Sequence, residues 1–424
     1  MSRFQSSVAL TTLWAATLGA QERVQRPELQ SILVLPFANA TAVRGLDWIG
    51  ESVAETLRDR LVAAGLPHVF ERSERQEAFR RLSVRPYVPL TKATAFKIGL
   101  SVDADLILYG DYEILASAAT PAPAPALVPT AKPTSTPVTP QSSVRFTVRV
   151  LDGRLLRSGL EFASTGRLEE LAVLQNHLAW QTLQALAPAL APSFTDFDRS
   201  NPPIRVEAIE SYVRGLQATK PEDKYRLLTE AANLDERYSQ ARFELGRLQL
   251  ERGNFREAAA WLDRVPVADV HHLEAIFFLG IARYRAGEFG AAEQAFERVL
   301  ADLPLSRVLN NLALAQARLG RAKSAENLAK AREGDPTDAD YSFNAGYLLW
   351  RQGQFKAAIT PLEEALSRNR DDAETAMFLG LCQRADPASL KEAPLEGRER
   401  LKTRLDETAY RQLKMLVEGT LKPR

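Results

Sequence analysis

The stretch FELGRLQLERGNFREAAAWL (243–262) decides the fold, because it recurs. Aligned with it are FFLGIARYRAGEFGAAEQAF (277–296), NNLALAQARLGRAKSAENLA (310–329) and FNAGYLLWRQGQFKAAITPL (343–362). Gly246, Gly280, Ala313, Gly346 and, in a half repeat, Gly380 mark equivalent positions at a near-constant interval. Ala258, Ala292, Ala325 and Ala358 follow the first four anchors at one fixed spacing, with Gly253, Gly287, Gly320 and Gly353 between. Small residues at that spacing on either side of a turn glycine predict two helices that cross closely. One such pair cannot bury its own apolar face, so the pairs must stack.

The period and the small-residue pattern resemble tetratricopeptide (TPR) repeats over about residues 205–385. An earlier unit, AIESYVRGL…KYRLLTEAANLDERY (208–238), fits with a shorter inner turn. After Gly380 the pattern stops, and LKEAPLEGRERLKTRLDETAYRQLKMLVEG reads as charged helices capping the array over 386–424. In arrays of this kind the first helices of the pairs line a concave groove. The resemblance therefore places Phe243, Phe277, Asn310 and Phe343 on one row of it, then Arg247, Ile281, Leu314 and Tyr347, then Leu250, Tyr284, Ala317 and Trp350.

Arg285, Arg318 and Arg351 recur once per repeat, just before the turn glycine. Facing the groove, they would form a basic ladder for carboxylates or an acidic peptide. A basic residue before a turn glycine also suits a helix C-terminus in its own right. Asn311 and Asn344 repeat at the same interval, and could bond a bound peptide backbone or stay within their helices. The candidate partner-binding set is Arg247, Tyr284, Arg285, Asn311, Arg318, Asn344, Tyr347 and Arg351.

Upstream, SILVLPFANATAVRGLDWIGESVAETLRDRL (31–61) runs from an apolar strand through a polar loop into an amphipathic helix. Leu46, Ile49, Val53, Leu57 and Leu61 share one stripe, and Asp47, Glu51, Glu55 and Asp59 lie off it, on what reads as a solvated face. A phosphate-binding turn needs several glycines, and here there is only Gly45. HVF (68–70) reads as a second strand, a helix starts after an N-cap at Ser73, and another starts near Thr91. ADLILYGDYEIL (104–115) reads as a strand. VRFTVRVL and RLLRSGLEFAS read as a hairpin turning at Asp152-Gly153 in a type I′ turn. The Pro/Ala-rich segment 116–143 is a loop insertion between strands. A helix over 168–187 closes the domain, and 188–203 reads as a linker that permits the two halves to move.

SILVLPFAN…LDWIGESVAETLRDRL, GLSVDADLILYGDY and VRFTVRVLDGRLL together resemble the TolB amino-terminal-like domain over about 30–190. That resemblance implies a non-catalytic α/β domain used in protein contacts, found in bacterial envelope proteins and also beside TPR repeats. The insertion 116–143 departs from the pattern. The expected architecture is α/β plus all-α: a small α/β (TolB N-terminal-like) domain followed by a TPR α-solenoid.

The formal net charge of +1 gives no broad argument for nucleic acid or an anionic membrane surface. The lone Cys382 excludes an internal disulfide and reads as a small core residue. His271-His272 sits between repeats without ligand spacing for a metal. No GxSxG, HExxH, GxGxxG or GK[ST] occurs. No catalytic, metal or cofactor site is expected. The N-terminus, basic at Arg3 and apolar from Val8 to Leu18, resembles a signal peptide over 1–20 cut after Ala20. These features predict a non-catalytic scaffold of the bacterial cell envelope, periplasmic or secreted. Its partners would be proteins or peptides, with no nucleic acid and no integral membrane segment after cleavage; the oligomeric state stays open. A cytoplasmic regulatory TPR protein is the alternative, though the stretch ahead of the first strand reads as too short for a DNA-binding or kinase module. An enzyme with an unrecognised site ranks last.

Overall fold

The computed structural model describes residues 31–41, 45–66, 68–115, 142–385, 387–391, 395–405 and 410. The signal-peptide segment 1–20 and residues 116–141 of the Pro/Ala insertion lie outside the described residues. The first half is a mixed sheet. Its strands are β1 (Ser31–Val34), β2 (Ala38–Asn39), β3 (His68–Val69), β4 (Leu106–Leu115), β5 (Ser143–Asp152) and β6 (Arg157–Arg167). They run in the order β3-β1-β4-β5-β6, with β2 also on β4. β1 pairs in parallel with β3 and β4, and β4-β5-β6 is antiparallel.

Helices α1 (Trp48–Ala63), α2 (Arg72–Arg81), α3 (Lys92–Leu100) and α4 (Leu171–Leu186) cover the sheet. Alternation along the strands decides which face each serves. Ile32, Val34, Leu106 and Leu108 pack with Ile49, Val53 and Leu57 of α1 and Leu171 and Leu178 of α4. Leu33, Leu35, Ile107 and Tyr109 point the other way, onto Ala78 and Phe79 of α2 and Ala95 and Ile98 of α3. The glycine of DWIGE serves this packing. A Cβ on Gly50 would lie 1.8 Å from the Phe37 carbonyl oxygen, so only glycine lets α1 lie against the strand-exit loop.

Three local readings need correction. Helix α2 is capped by Glu71, not Ser73, with the Glu71 N–H donating to the Glu74 carboxylate (2.7 Å). Neither Asp152 nor Gly153 takes the positive φ of a type I′ turn; the strands are joined by 153–156, with the Leu155 N–H donating to the Asp152 carboxylate (2.9 Å). Glu51 and Asp59 do not lie on a solvated face. Arg75, 2% exposed, donates to Glu51 (2.6 Å), Glu55 (2.7 Å) and the Val34 carbonyl (3.1 Å), and Arg72 also reaches Glu51 (2.7 Å). Burial would raise the Glu51 carboxyl, but Arg75 and Arg72 hold it below the usual range. The cluster ties α2 to α1 across the end of β1.

The second half is a helical array. It opens with α5 (Phe194–Ser200), then the pairs α6 (Val206–Gln217) with α7 (Pro221–Leu234) and α8 (Ser239–Glu251) with α9 (Phe255–Leu262). Next come α10 (His272–Arg285) with α11 (Phe289–Asp302), α12 (Ser306–Arg318) with α13 (Lys323–Gly334), α14 (Ala339–Arg351) with α15 (Phe355–Arg368), and then α16 (Ala373–Arg384). The anchor glycines sit where paired helices touch. A Cβ on Gly246, Gly280 or Gly346 would come within 2.4, 2.6 and 2.5 Å of Leu262, Phe296 and Leu362. At Gly380, among the described residues, a Cβ would meet only the Arg384 side chain, at 3.8 Å. In the α12/α13 pair the register is offset by one position. Ser324, not Ala325, is the buried small residue, and its hydroxyl donates to the Ala313 carbonyl (2.7 Å).

Residues 188–203 contain a 3₁₀ turn, Pro188–Leu190, and α5, whose Phe197 is buried. One apolar core runs from Ile32 through α4 and Phe197 to Leu248 of α8. The two halves therefore share a core, which opposes the free movement expected of a linker.

Candidate functional site: a groove holding its own C-terminal segment

Residues 398–405 carry no helix or strand, so irregular chain replaces this part of the charged helices expected over 386–424, of which residues 386, 392–394, 406–409 and 411–424 lie outside the described residues. Gly397, at φ +71°, breaks the helical pattern that the charges alone suggest. The chain crosses the faces of α12, α14 and α16.

Three asparagines, all fully buried, hold its main chain. The Asn344 side chain accepts from the Arg400 N–H (2.8 Å) and donates to the Arg400 carbonyl (2.9 Å). Asn311 does the same for Lys402, at 2.8 Å each way. Asn310 donates to the Arg400 carbonyl (3.1 Å) and accepts from Asn344 (2.8 Å). A carboxamide offers one acceptor and one N–H donor group side by side, matching the N–H and C=O of one residue. Pairing at Arg400 and Lys402 but not at Leu401 is the alternation of extended chain. Leu401, between the clamped residues, is buried in the array's apolar core, as is Leu395.

Side chains divide the groove into charged zones. At the C-terminal ends of their helices, Arg318 and Arg351 both bond Glu399, each at 2.8 Å. The Glu399 side chain is 2% exposed. At the N-terminal ends, Arg400 meets Asp372 (2.6 Å), Glu374 (3.0 Å) and Asp340 (3.3 Å), and Lys402 meets Asp338 (2.7 Å) and Asp340 (2.6 Å). Asp338 and Asp372 are also the N-caps of α14 and α16. Burial works against the Asp372 carboxylate, but Arg400 and Thr375 hold it down at about 2. The Arg400 guanidinium lies 3.6 Å from the centre of the Phe343 ring. Upstream, the Tyr347 hydroxyl donates to the Leu395 carbonyl (2.9 Å).

Of the predicted site residues, the structure brings together Asn311, Asn344, Arg318, Arg351, Tyr347 and Tyr284. Burial and the nearby Glu399 push the Tyr284 phenol up to about 12. Arg285 is exposed and makes no ion pair with a described residue, because the segment crosses α12, α14 and α16, beyond α10. Arg247 lies over Phe243 and Phe278, also away from the segment. Sequence reasoning missed the acidic zone and the segment itself. The signal for the first was Asp338 and Asp372 at helix starts with Asp340 and Glu374 just beyond.

A second missed feature is the contact of the array with the α/β domain. His271 stacks on Phe243 (4.7 Å) and sits 3.7 Å from Asp59 of α1 and 3.5 Å from Glu274. Burial alone would lower its pKa, but the two carboxylates raise it to about 10.

Tetratricopeptide repeat models match residues 279–339 and 343–395, and a further one matches 239–264. The second half of this chain is thus an array of tetratricopeptide repeats. No curated protein matches the chain. Similar solved structures include MamA from Desulfovibrio magneticus RS-1 (23% identity, 38% of this chain, 92% of that chain, TM-score 0.35). Others are YrrB, described as a TPR protein with an unusual peptide-binding site (18%, 46%, 98%, 0.37), and TTC0263 of Thermus thermophilus (16%, 42%, 99%, 0.33). At these scores the likenesses carry no weight for function.

Proposed function

We propose that this protein is a non-catalytic scaffold of the bacterial cell envelope, exported by a signal peptide cut after Ala20, that binds protein partners through extended peptide segments laid in the TPR groove. The carrying observation is the asparagine clamp. Asn310, Asn311 and Asn344 are spent on the main chain of an irregular segment, which is how a groove recognises a peptide of any sequence. The α/β domain, which resembles the TolB amino-terminal-like domain, supplies the second contact surface. The exposed Leu155, Leu156 and Leu160, at the β5–β6 turn and on β6, belong to that surface.

The test is photo-cross-linking from position 347, with a photoreactive phenylalanine replacing Tyr347 in the full chain in its native cells. The mature N-terminus is read from the same sample. The expected result is capture of envelope proteins that falls at least tenfold in an Asn311→Ala/Asn344→Ala background, on a chain starting at Gln21. Capture that ignores the asparagines sinks the groove reading. Cytoplasmic partners on a chain that keeps Met1 sink the envelope reading.

A further inference from the structure

The groove is occupied by the chain's own residues, and the manner of occupation says what else fits. Most of the segment's polar anchors are charged pairs whose basic members remain partly open to water, Arg318 at 19%, Arg351 at 31% and Arg400 at 20% exposure, while Glu399 itself is buried. Its main chain is held by side-chain amides rather than by a helix or sheet of its own. Such contacts can be surrendered to another segment that offers the same groups, because water and the incoming chain satisfy them during exchange. Of the helix pairs beneath the segment, α14/α15 is closed by Leu362 against Gly346 and α12/α13 by the Ser324 hydroxyl on the Ala313 carbonyl, contacts that the segment does not make.

We propose that residues 398–402 are an internal ligand. The groove's partner is then an extended segment with the same order of side chains, an acidic residue followed by basic, apolar and basic residues, which binds by displacing them. This rests on the groove reading above and adds the partner's chemistry and its control. Each position has its recognition element. Arg318 and Arg351 take the acidic residue, and Asp340, Asp372 and Glu374 take the first basic one. The apolar core takes Leu401, and Asp338 with Asp340 takes the second basic residue. The two charge zones lie at opposite ends of the array's first helices, so they also fix the direction in which a segment lies. A partner with a basic residue in place of Glu399 would face two arginines with no counter-charge.

The consequence for affinity follows from tethering. A short tether holds a ligand at an effective concentration of about 1 mM. If the free segment binds with a dissociation constant of about 100 μM, the tethered one is in place about ten times as often as not, and outside peptides appear about tenfold weaker.

The probe is a fluorescent synthetic peptide of sequence LEGRERLKTRL, titrated into the full-length protein and into the full-length variant Glu399→Lys/Leu401→Ser. The variant should bind it at least tenfold more tightly than the natural chain. A peptide with Lys at the Glu399 position should bind neither. Equal affinity for both chains, or no binding by a variant with unchanged helicity, would overturn the proposal. A second measurement needs no variant: hydrogen exchange at the Arg400 and Lys402 amides of the natural chain. These should exchange at least a hundredfold faster than the central amides of α14, reporting release without unfolding. Equal protection would make the segment a fixed part of the fold and end the idea. Groove-dependent capture at position 347 that the peptide does not compete away would leave the scaffold reading standing and remove only the internal-ligand one.

Discussion

Two clusters of charge, one in each half, use similar residues to different ends. In the α/β domain Arg75 is 2% exposed and bound by Glu51, Glu55 and the Val34 carbonyl, on elements already joined by an apolar core. In the groove Arg318 and Arg351 share Glu399 on a segment held by amides, and both arginines keep contact with water. Removing one partner of the first cluster strands a charge where no water can reach it. Removing Glu399 from the second leaves two arginines that water already reaches. The first arrangement holds a fold together, and the second can let a ligand go.

The largest expected effect breaks that comparison at its rigid end. Arg75→Ala leaves Glu51 and Glu55 with only the more exposed Arg72 as a shared partner and should cost about 3–5 kcal/mol in denaturant unfolding of the α/β half. A loss below about 1 kcal/mol would mean the cluster is no more structural than the groove's. Next come the glycines. Gly346→Val should cost about 1–3 kcal/mol, since its Cβ would meet Leu362 at 2.5 Å. Gly380→Ala, whose Cβ would make only ordinary contact with the Arg384 side chain at 3.8 Å, should stabilise by up to about 1 kcal/mol by helix propensity. Equal losses at both sites would show that the half repeat is packed against something unaccounted for.

The junction between the halves sharpens the comparison by pH. His271 faces Asp59 and Glu274, with Arg58 beside Asp59 and Arg247 over the neighbouring Phe243. Its folded pKa of about 10 lies above the unfolded value near 6.5, so its contribution is complete below about pH 6.5 and is lost as the pH rises through about 10. Between about pH 7 and 10.5 the Tm of the natural chain should fall about 2–4 °C more than that of His271→Gln. Parallel curves would show that the imidazole carries no charge at the junction. The smallest expected effect is Glu399→Gln, which should change global unfolding by less than about 1 kcal/mol while weakening the hold on the segment. A cost as large as that of Arg75→Ala would erase the distinction.

Much of this is legible in the sequence, because repetition and alternation are what packing imposes. The constant repeat interval sets the array, and the alternating apolar residues of β4 and β5 set the sheet. Asn311, Asn344, Arg318 and Arg351 stand out because they recur at equivalent positions. The failures have particular causes. Ala325 aligns with its counterparts by a fixed spacing that a one-position offset before α13 breaks, and Ser324 takes its place. Glu51 and Asp59 look solvated because the residues that bury them, Arg75 and His271, come from other elements, one of them in the other half of the chain. Residues 398–405 look helical because charge and leucine spacing suit a helix, whereas the groove offers their main chain better partners.

The central claim, that the groove grips the main chain of its own segment, is most directly tested by limited trypsin digestion. The segment carries its own cleavage sites at Arg398, Arg400, Lys402 and Arg404. Digestion of the natural full-length protein and of Asn311→Ala/Asn344→Ala, at matched helicity, should show cutting after Arg400 and Lys402 at least tenfold faster in the variant. Equal rates at those two bonds would contradict the clamp, and with it the peptide-binding reading of the groove.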